Sequence, residues 1–148
     1  LATLTRASSD KVSDKYPDAC RALRARLALL GERGISLWLN RSHGDFAPWN
    51  CAWTARGLFV YDWEESREVD LALGDAFSYV IASDQLLRCK AKVDETLMVA
   101  LRFGDRVGVA AGLTELDTRV YLAMWLLRRV DHGGLYSDLL LALDRSWQ

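Results

Sequence analysis

Apolar residues recur at helical spacing over most of this chain and at strand spacing in one short central stretch. From Asp18, the positions Ala19, Ala22, Leu23, Leu27 and Leu30 repeat every three or four residues, with Arg21, Arg24 and Arg26 on the opposite side. The pattern predicts a helix stopped by Gly31 and Gly34, with the arginines as a solvated face. Ile35 to Leu39 is a short apolar run that predicts a strand leading into a loop. Cys51 to Thr54 and Leu58 to Tyr61 are β-prone runs separated by Ala55-Arg56-Gly57, which predicts a hairpin.

After the hairpin the period returns to that of helices. Asp70 to Lys90 places Leu71, Phe77, Val80, Ile81 and Leu87 inward, and Asp70 before Leu-Ala-Leu reads as an N-cap. Val93 to Phe103 follows, closed by Gly104, and then Thr114 to Arg129 and Leu135 to Trp147. Thr114 and Asp117 have the spacing of a capping box, with Asp in place of Glu. Arg128 and Arg129 suit the negative end of their helix, which His132-Gly133-Gly134 ends. Residues 1 to 14 are polar and read as a loop. Among leucines at helical spacing, Tyr121, Met124 and Trp125 belong to a core, whereas Asp84, Asp94, Glu95 and Asp105 belong on solvated faces. The fold class is mainly α with a small β-hairpin, an α+β arrangement.

Composition narrows the function more than the fold. With 148 residues, 51% of them apolar, the chain is one domain with a core of its own. A formal net charge of −1 excludes the basic footprint of a nucleic-acid binder. Cys20, Cys51 and Cys89 are odd in number and widely spread, which predicts reduced, buried thiols in a cytoplasmic protein. There is no secretory signal, and the longest apolar run, Val120 to Leu127, is too short to span a bilayer. No membrane partner is expected.

The chemistry is concentrated in His43-Gly-Asp-Phe-Ala-Pro-Trp-Asn50, with Asp62 twelve residues further on. Phosphoryl transfer to an alcohol needs alignment of the acceptor and positive charge over the phosphate oxygens. Asp45 can orient and deprotonate a hydroxyl. Asn50 and Asp62 supply the short list of oxygen ligands that Mg²⁺ prefers. Gly44 and Pro48 mark an irregular loop, and the hairpin would return Asp62 to its side. Asp and Asn also serve as plain turn residues, so it is the combination with Asp62 that points to chemistry.

These residues, with Leu58-Phe-Val-Tyr-Asp-Trp-Glu64 and Val69-Asp-Leu-Ala72, resemble the aminoglycoside phosphotransferase and choline kinase-like family of small-molecule kinases. The specific part of the resemblance spans about residues 36 to 80. It implies the helical C-terminal lobe of a protein-kinase-like fold over residues 1–148. It also implies ATP as nucleoside triphosphate, Mg²⁺, and a small hydroxyl acceptor such as a sugar, an aminoglycoside or an amino alcohol. Asp45 would be the catalytic base, with His43 supporting its loop. Asn50 and Asp62 would hold the metal and thereby the nucleotide. Glu64 would match an acidic residue that follows the metal-binding Asp, and Asp70 an Asp that starts the next helix and braces the catalytic loop. No Gly-rich loop and no strand–Lys–helix–Glu sequence precedes residue 36, so the nucleotide lobe is expected outside this chain and the lobe by itself inactive. The competing expectation is a non-catalytic, pseudokinase-like binding module. A two-metal hydrolase lacks further His or carboxylate ligands.

Overall fold

A computed structural model describes residues 17–32, 34, 37–89, 91–130 and 134–147. Its elements are α1 (Pro17–Glu32), β1 (Leu39–Ser42), a short 3-10 turn (Pro48–Asn50), β2 (Cys51–Thr54), β3 (Gly57–Val60), β4 (Arg67–Leu71), α2 (Gly74–Leu87), α3 (Val93–Ala110), α4 (Glu115–Arg129) and α5 (Gly134–Ser146). The chain is mainly helical, with two small antiparallel sheets, β1–β4 and β2–β3.

The helix α4 forms the centre because it is apolar all round: every residue from Val120 to Leu127 is buried. The other four helices pack about it, with Leu23 and Leu27 of α1, Phe77 and Ile81 of α2, Leu97 and Leu101 of α3, and Leu139 and Leu140 of α5 in one core. Tyr121, Met124 and Trp125 are core residues, as their spacing predicts. The capping box also forms: Thr114 Oγ accepts from the Asp117 N–H at 3.2 Å, and Asp117 accepts from the Thr114 N–H at 2.7 Å.

The predicted elements shift wherever long-range pairing outweighs local pattern. Of the run Ile35 to Leu39, the described residues Leu37 and Trp38 lie outside any strand, and β1 covers Leu39–Ser42 because that stretch pairs with β4, Asn40 opposite Asp70 and Ser42 opposite Arg67. Asp70 therefore sits in a strand, and α2 begins at Gly74 with no side-chain cap, so the N-cap reading of Asp70 is overturned. Gly104 does not close α3, which runs on to Ala110. A Cβ at Gly104 would lie 2.7 Å from both Phe77 and Thr118, so this glycine sets how closely α3 approaches its neighbours.

Several polar expectations also change. Asp84 is buried rather than solvated; it accepts from Thr96 Oγ at 2.7 Å and pairs with Arg88, which reaches on to Glu95. Arg26 is partly buried against Asp144 at 3.5 Å, and Arg24 is partly buried as well, so the arginines of α1 are not one solvated face. Of the thiols, Cys20 is buried, Cys51 partly so, and Cys89 exposed. The readings for residues 1 to 14, Ile35, Lys90, and His132 and Gly133 lie outside the described residues.

The helices cover neither face of the β2–β3 hairpin. Trp53 pairs with Leu58 on one face and Ala52 with Phe59 on the other, and Trp53, Leu58 and Phe59 are all exposed, Trp53 at 83%. Trp38, Trp49, Trp63 and Val69 are exposed as well. Among the described residues no helix is long and apolar enough to cross a membrane.

Candidate active site

The loop from His43 to Asn50 leaves the end of β1 and enters the hairpin through the 3-10 turn at Pro48–Asn50. Proline suits the first position of that turn, where an N–H would have no partner. Asn50 is only 4% exposed, and its amide nitrogen donates both to the Asp45 carbonyl, at 2.9 Å, and to the Asp45 carboxylate, at 3.1 Å. The two residues are thus locked together, and the Asn50 side-chain oxygen is left as the free end of its amide.

Tyr61 brings Asp62 to the same place. Its N–H donates to the Asn50 carbonyl at 3.1 Å, continuing the hairpin ladder by one rung. Its carbonyl accepts from Nε2–H of His43 at 2.9 Å, and its hydroxyl donates to the Trp49 carbonyl. With Tyr61 held on three sides, the chain turns at Asp62, which has φ 65 and is the non-glycine residue at positive φ among those described. Asp tolerates this left-handed region better than most residues, yet such a conformation is uncommon and concentrates at functional positions. The Asp62 carboxylate is exposed and makes no hydrogen bond or ion pair with a described residue.

His43 is buried, 2% exposed, behind the loop. Its ring lies 4.7 Å from that of Trp63 and 6.0 Å from that of Phe46, and Nδ1 has no partner among the described residues. A carbonyl can only accept, so Nε2 carries the proton in the bond to Tyr61. His43 therefore ties the Asp45 loop to the Asp62 turn and cannot itself meet a substrate.

Two holders of the loop were not legible beforehand. Asp75, in the first turn of α2, accepts from the His43 N–H at 2.7 Å and from the Gly44 N–H at 3.0 Å. Arg129, in the last turn of α4, donates to the Gly44 carbonyl. Asp70, expected in the bracing role, lies one step outside the loop: it accepts from Ser42 Oγ at 3.2 Å and pairs with Arg128. The signal for Asp75 was a carboxylate opening the apolar run of Phe77, Val80 and Ile81, but nothing local says that it faces the loop. Glu64 is exposed in the turn after Asp62, with no partner among the described residues. Gly44 is required at its position, since its φ is 87 and an added Cβ would lie 2.1 Å from the Glu65 carbonyl oxygen. That close approach seats the 62–66 turn directly on the Asp45 loop.

In comparisons with protein-family models, curated proteins and solved structures, nothing matches this chain.

Chemically, the arrangement offers a carboxylate at Asp45, an amide oxygen at Asn50 and an unpartnered carboxylate at Asp62. Among the described residues no three His, Cys, Asp or Glu side chains gather as a metal cage. The buried Asn50 amide oxygen and the exposed Asp62 carboxylate are oxygen donors of the kind Mg²⁺ takes, an ion that keeps several waters and shares its shell with phosphates. Burial pushes the Cys51 thiol up from its ordinary value, so the cysteine next to Asn50 is a poor nucleophile at neutral pH.

Proposed function

We propose that the chain is the catalytic lobe of an ATP-dependent phosphotransferase that moves the γ-phosphoryl group to the hydroxyl of a small molecule. What supports the reading most is the joining of Asp45, Asn50 and Asp62: the Asn50 side chain bonds Asp45, and its backbone carries the residue before Asp62. The same three residues carry the resemblance to the aminoglycoside phosphotransferase and choline kinase-like family.

In this reading Asp45 accepts the acceptor's proton while the acceptor oxygen bonds to phosphorus and the bond to the ADP oxygen breaks. Asn50 Oδ1 and the Asp62 carboxylate would hold Mg²⁺, which when bound neutralises charge developing on the phosphate oxygens. His43, Asp75 and Gly44 keep the base in register with these ligands, which counts because positioning is most of what such a reaction asks of a protein. The bare aromatic surface of the hairpin would be covered by the nucleotide lobe.

The test is turnover of Mg·ATP by the full-length protein with a panel of sugars, aminocyclitols and amino alcohols. Asp45→Asn is expected to lower the rate by about 10²- to 10⁴-fold with the melting temperature unchanged. Activity that survives the substitution removes Asp45 as the base. Calorimetry with Mg·ADP separates the alternative of a non-catalytic binding module: failure to bind by the full-length protein would sink the kinase reading.

A further inference from the structure

Asn50 holds the side chain and the carbonyl of Asp45, and the residue before it, Gly44, is held at both ends of its backbone. Its N–H goes to Asp75 and its carbonyl to Arg129. A glycine at φ 87 has more rotational freedom than any other residue, so the peptide between Gly44 and Asp45 turns readily unless something grips its oxygen. Arg129 is the group that grips it.

Arg129 is itself well seated. Its guanidinium lies 4.8 Å from the centre of the Trp125 ring one turn earlier in α4. Trp125 is buried and packs against Gly74, where an added Cβ would come within 3.4 Å of the indole. Gly74 immediately precedes Asp75, so both holders of Gly44 stand on one packed contact between α2 and α4. The neighbouring Arg128 pairs with Asp70, which takes the Ser42 hydroxyl at the end of β1. The last turn of α4 therefore anchors the chain just before and at the loop.

We propose that Arg129 is a positioning residue for Asp45, fixing the Gly44–Asp45 peptide; the proposal rests on the reading of Asp45 as the base. A simpler role is complementing the dipole of α4, which needs charge alone and would be met equally by lysine. Donating to a carbonyl from a position over an indole suits the weakly hydrated, forked guanidinium, whereas a lysine ammonium is a compact and strongly hydrated point charge.

Two variants of the full-length protein, Arg129→Met and Arg129→Lys, separate these roles through amide hydrogen exchange. Positioning predicts that Arg129→Met speeds exchange at His43, Gly44 and Asn50 by about tenfold while amides within α2 and α4 stay as they were, with Arg129→Lys in between. Exchange that rises equally throughout α2 and α4 would make Arg129 a residue of general stability, and exchange unchanged at the loop would leave it a dipole partner; either overturns the proposal. Turnover of Mg·ATP with water as acceptor gives the second readout. The kcat of Arg129→Met should fall by about ten- to a hundredfold with KM for ATP held within about twofold, and an unaltered kcat is contrary to the proposal. If Asp45→Asn leaves turnover intact, the base reading fails, while the exchange result still decides whether Arg129 holds the loop.

Discussion

At the scale of single residues, the candidate site depends on two backbone conformations that few side chains tolerate, at Gly44 and at Asp62. Gly44 combines φ 87 with a carbonyl 2.1 Å from where a Cβ would stand, and that carbonyl is backbone, so it cannot swing away. Gly44→Ala should lower stability by at least about 2 kcal/mol, the sum of left-handed strain and displacement of the 62–66 turn. Gly57, with φ 111 and open space around it, is the control; Gly57→Ala should lose only the strain, about 1–2 kcal/mol. Urea midpoints of the two variants give the comparison, and equal losses would refute the clash. The cysteines give a second prediction at this scale. Cys89 is exposed, Cys51 is partly buried with its thiol shifted up, and Cys20 is buried. Alkylation with iodoacetamide at neutral pH should modify Cys89 first, Cys51 slowly, and Cys20 only on unfolding. Rapid labelling of Cys51 would contradict its partial burial.

At the scale of elements, the divergence between pattern and structure is itself instructive. The hairpin was legible because its two runs pair with each other across two turn residues, so all its determinants are local; only its second strand moved, by one residue, to Gly57–Val60. The strand β4 was not legible, because its partner β1 lies 28 residues away at the Ser42–Asp70 bond and its five residues blend into the helical pattern that follows. Gly104 shows the same limit. Glycine usually weakens or ends a helix, but here α3 continues through it because Phe77 and Thr118 occupy the space beside it. Gly104→Ala should therefore destabilise despite alanine's better helix propensity. A Cβ 2.7 Å from two fully buried side chains has no room, and overpacking of about 1–3 kcal/mol exceeds the propensity gain of about 1 kcal/mol. Thermal melting distinguishes the outcomes, and a rise in Tm would refute the contact.

At the scale of the molecule, the helical core and the β region are joined through Tyr121. Its ring is fully buried in the centre of α4, yet its hydroxyl donates to the Trp38 carbonyl at 3.2 Å and accepts from the Trp38 N–H. Burial pushes its ionisation up, Asp117 adds to that, and the Trp38 N–H partly opposes it. Folding thus favours the neutral phenol. Its stabilising contribution is complete below the unfolded value of about 10 and is lost as pH rises through the higher folded value. Wild type should lose more stability between about pH 8 and about pH 11 than Tyr121→Phe does. At neutral pH the variant should be less stable by about 1–3 kcal/mol, since the Trp38 N–H loses its acceptor. Parallel pH profiles would refute the raised ionisation, and equal stability at neutral pH would show that Tyr121 does not link the two regions.

The sequence by itself determined the helices, the hairpin, the all-apolar centre of α4 and the order of Asp45, Asn50 and Asp62 along a loop and a returning strand. Each depends on neighbours a few residues apart or on a strict period. Tertiary structure alone decided what holds the loop in place. The bonds from His43 to Asp75 and from Gly44 to Arg129 cross 32 and 85 residues of chain, and Asp70, the more obvious carboxylate, was drawn into a strand. A carboxylate or guanidinium carries no local mark of the partner it will meet. That choice is made only when α2 and α4 pack against each other through Gly74 and Trp125, presenting Asp75 and Arg129 to one glycine.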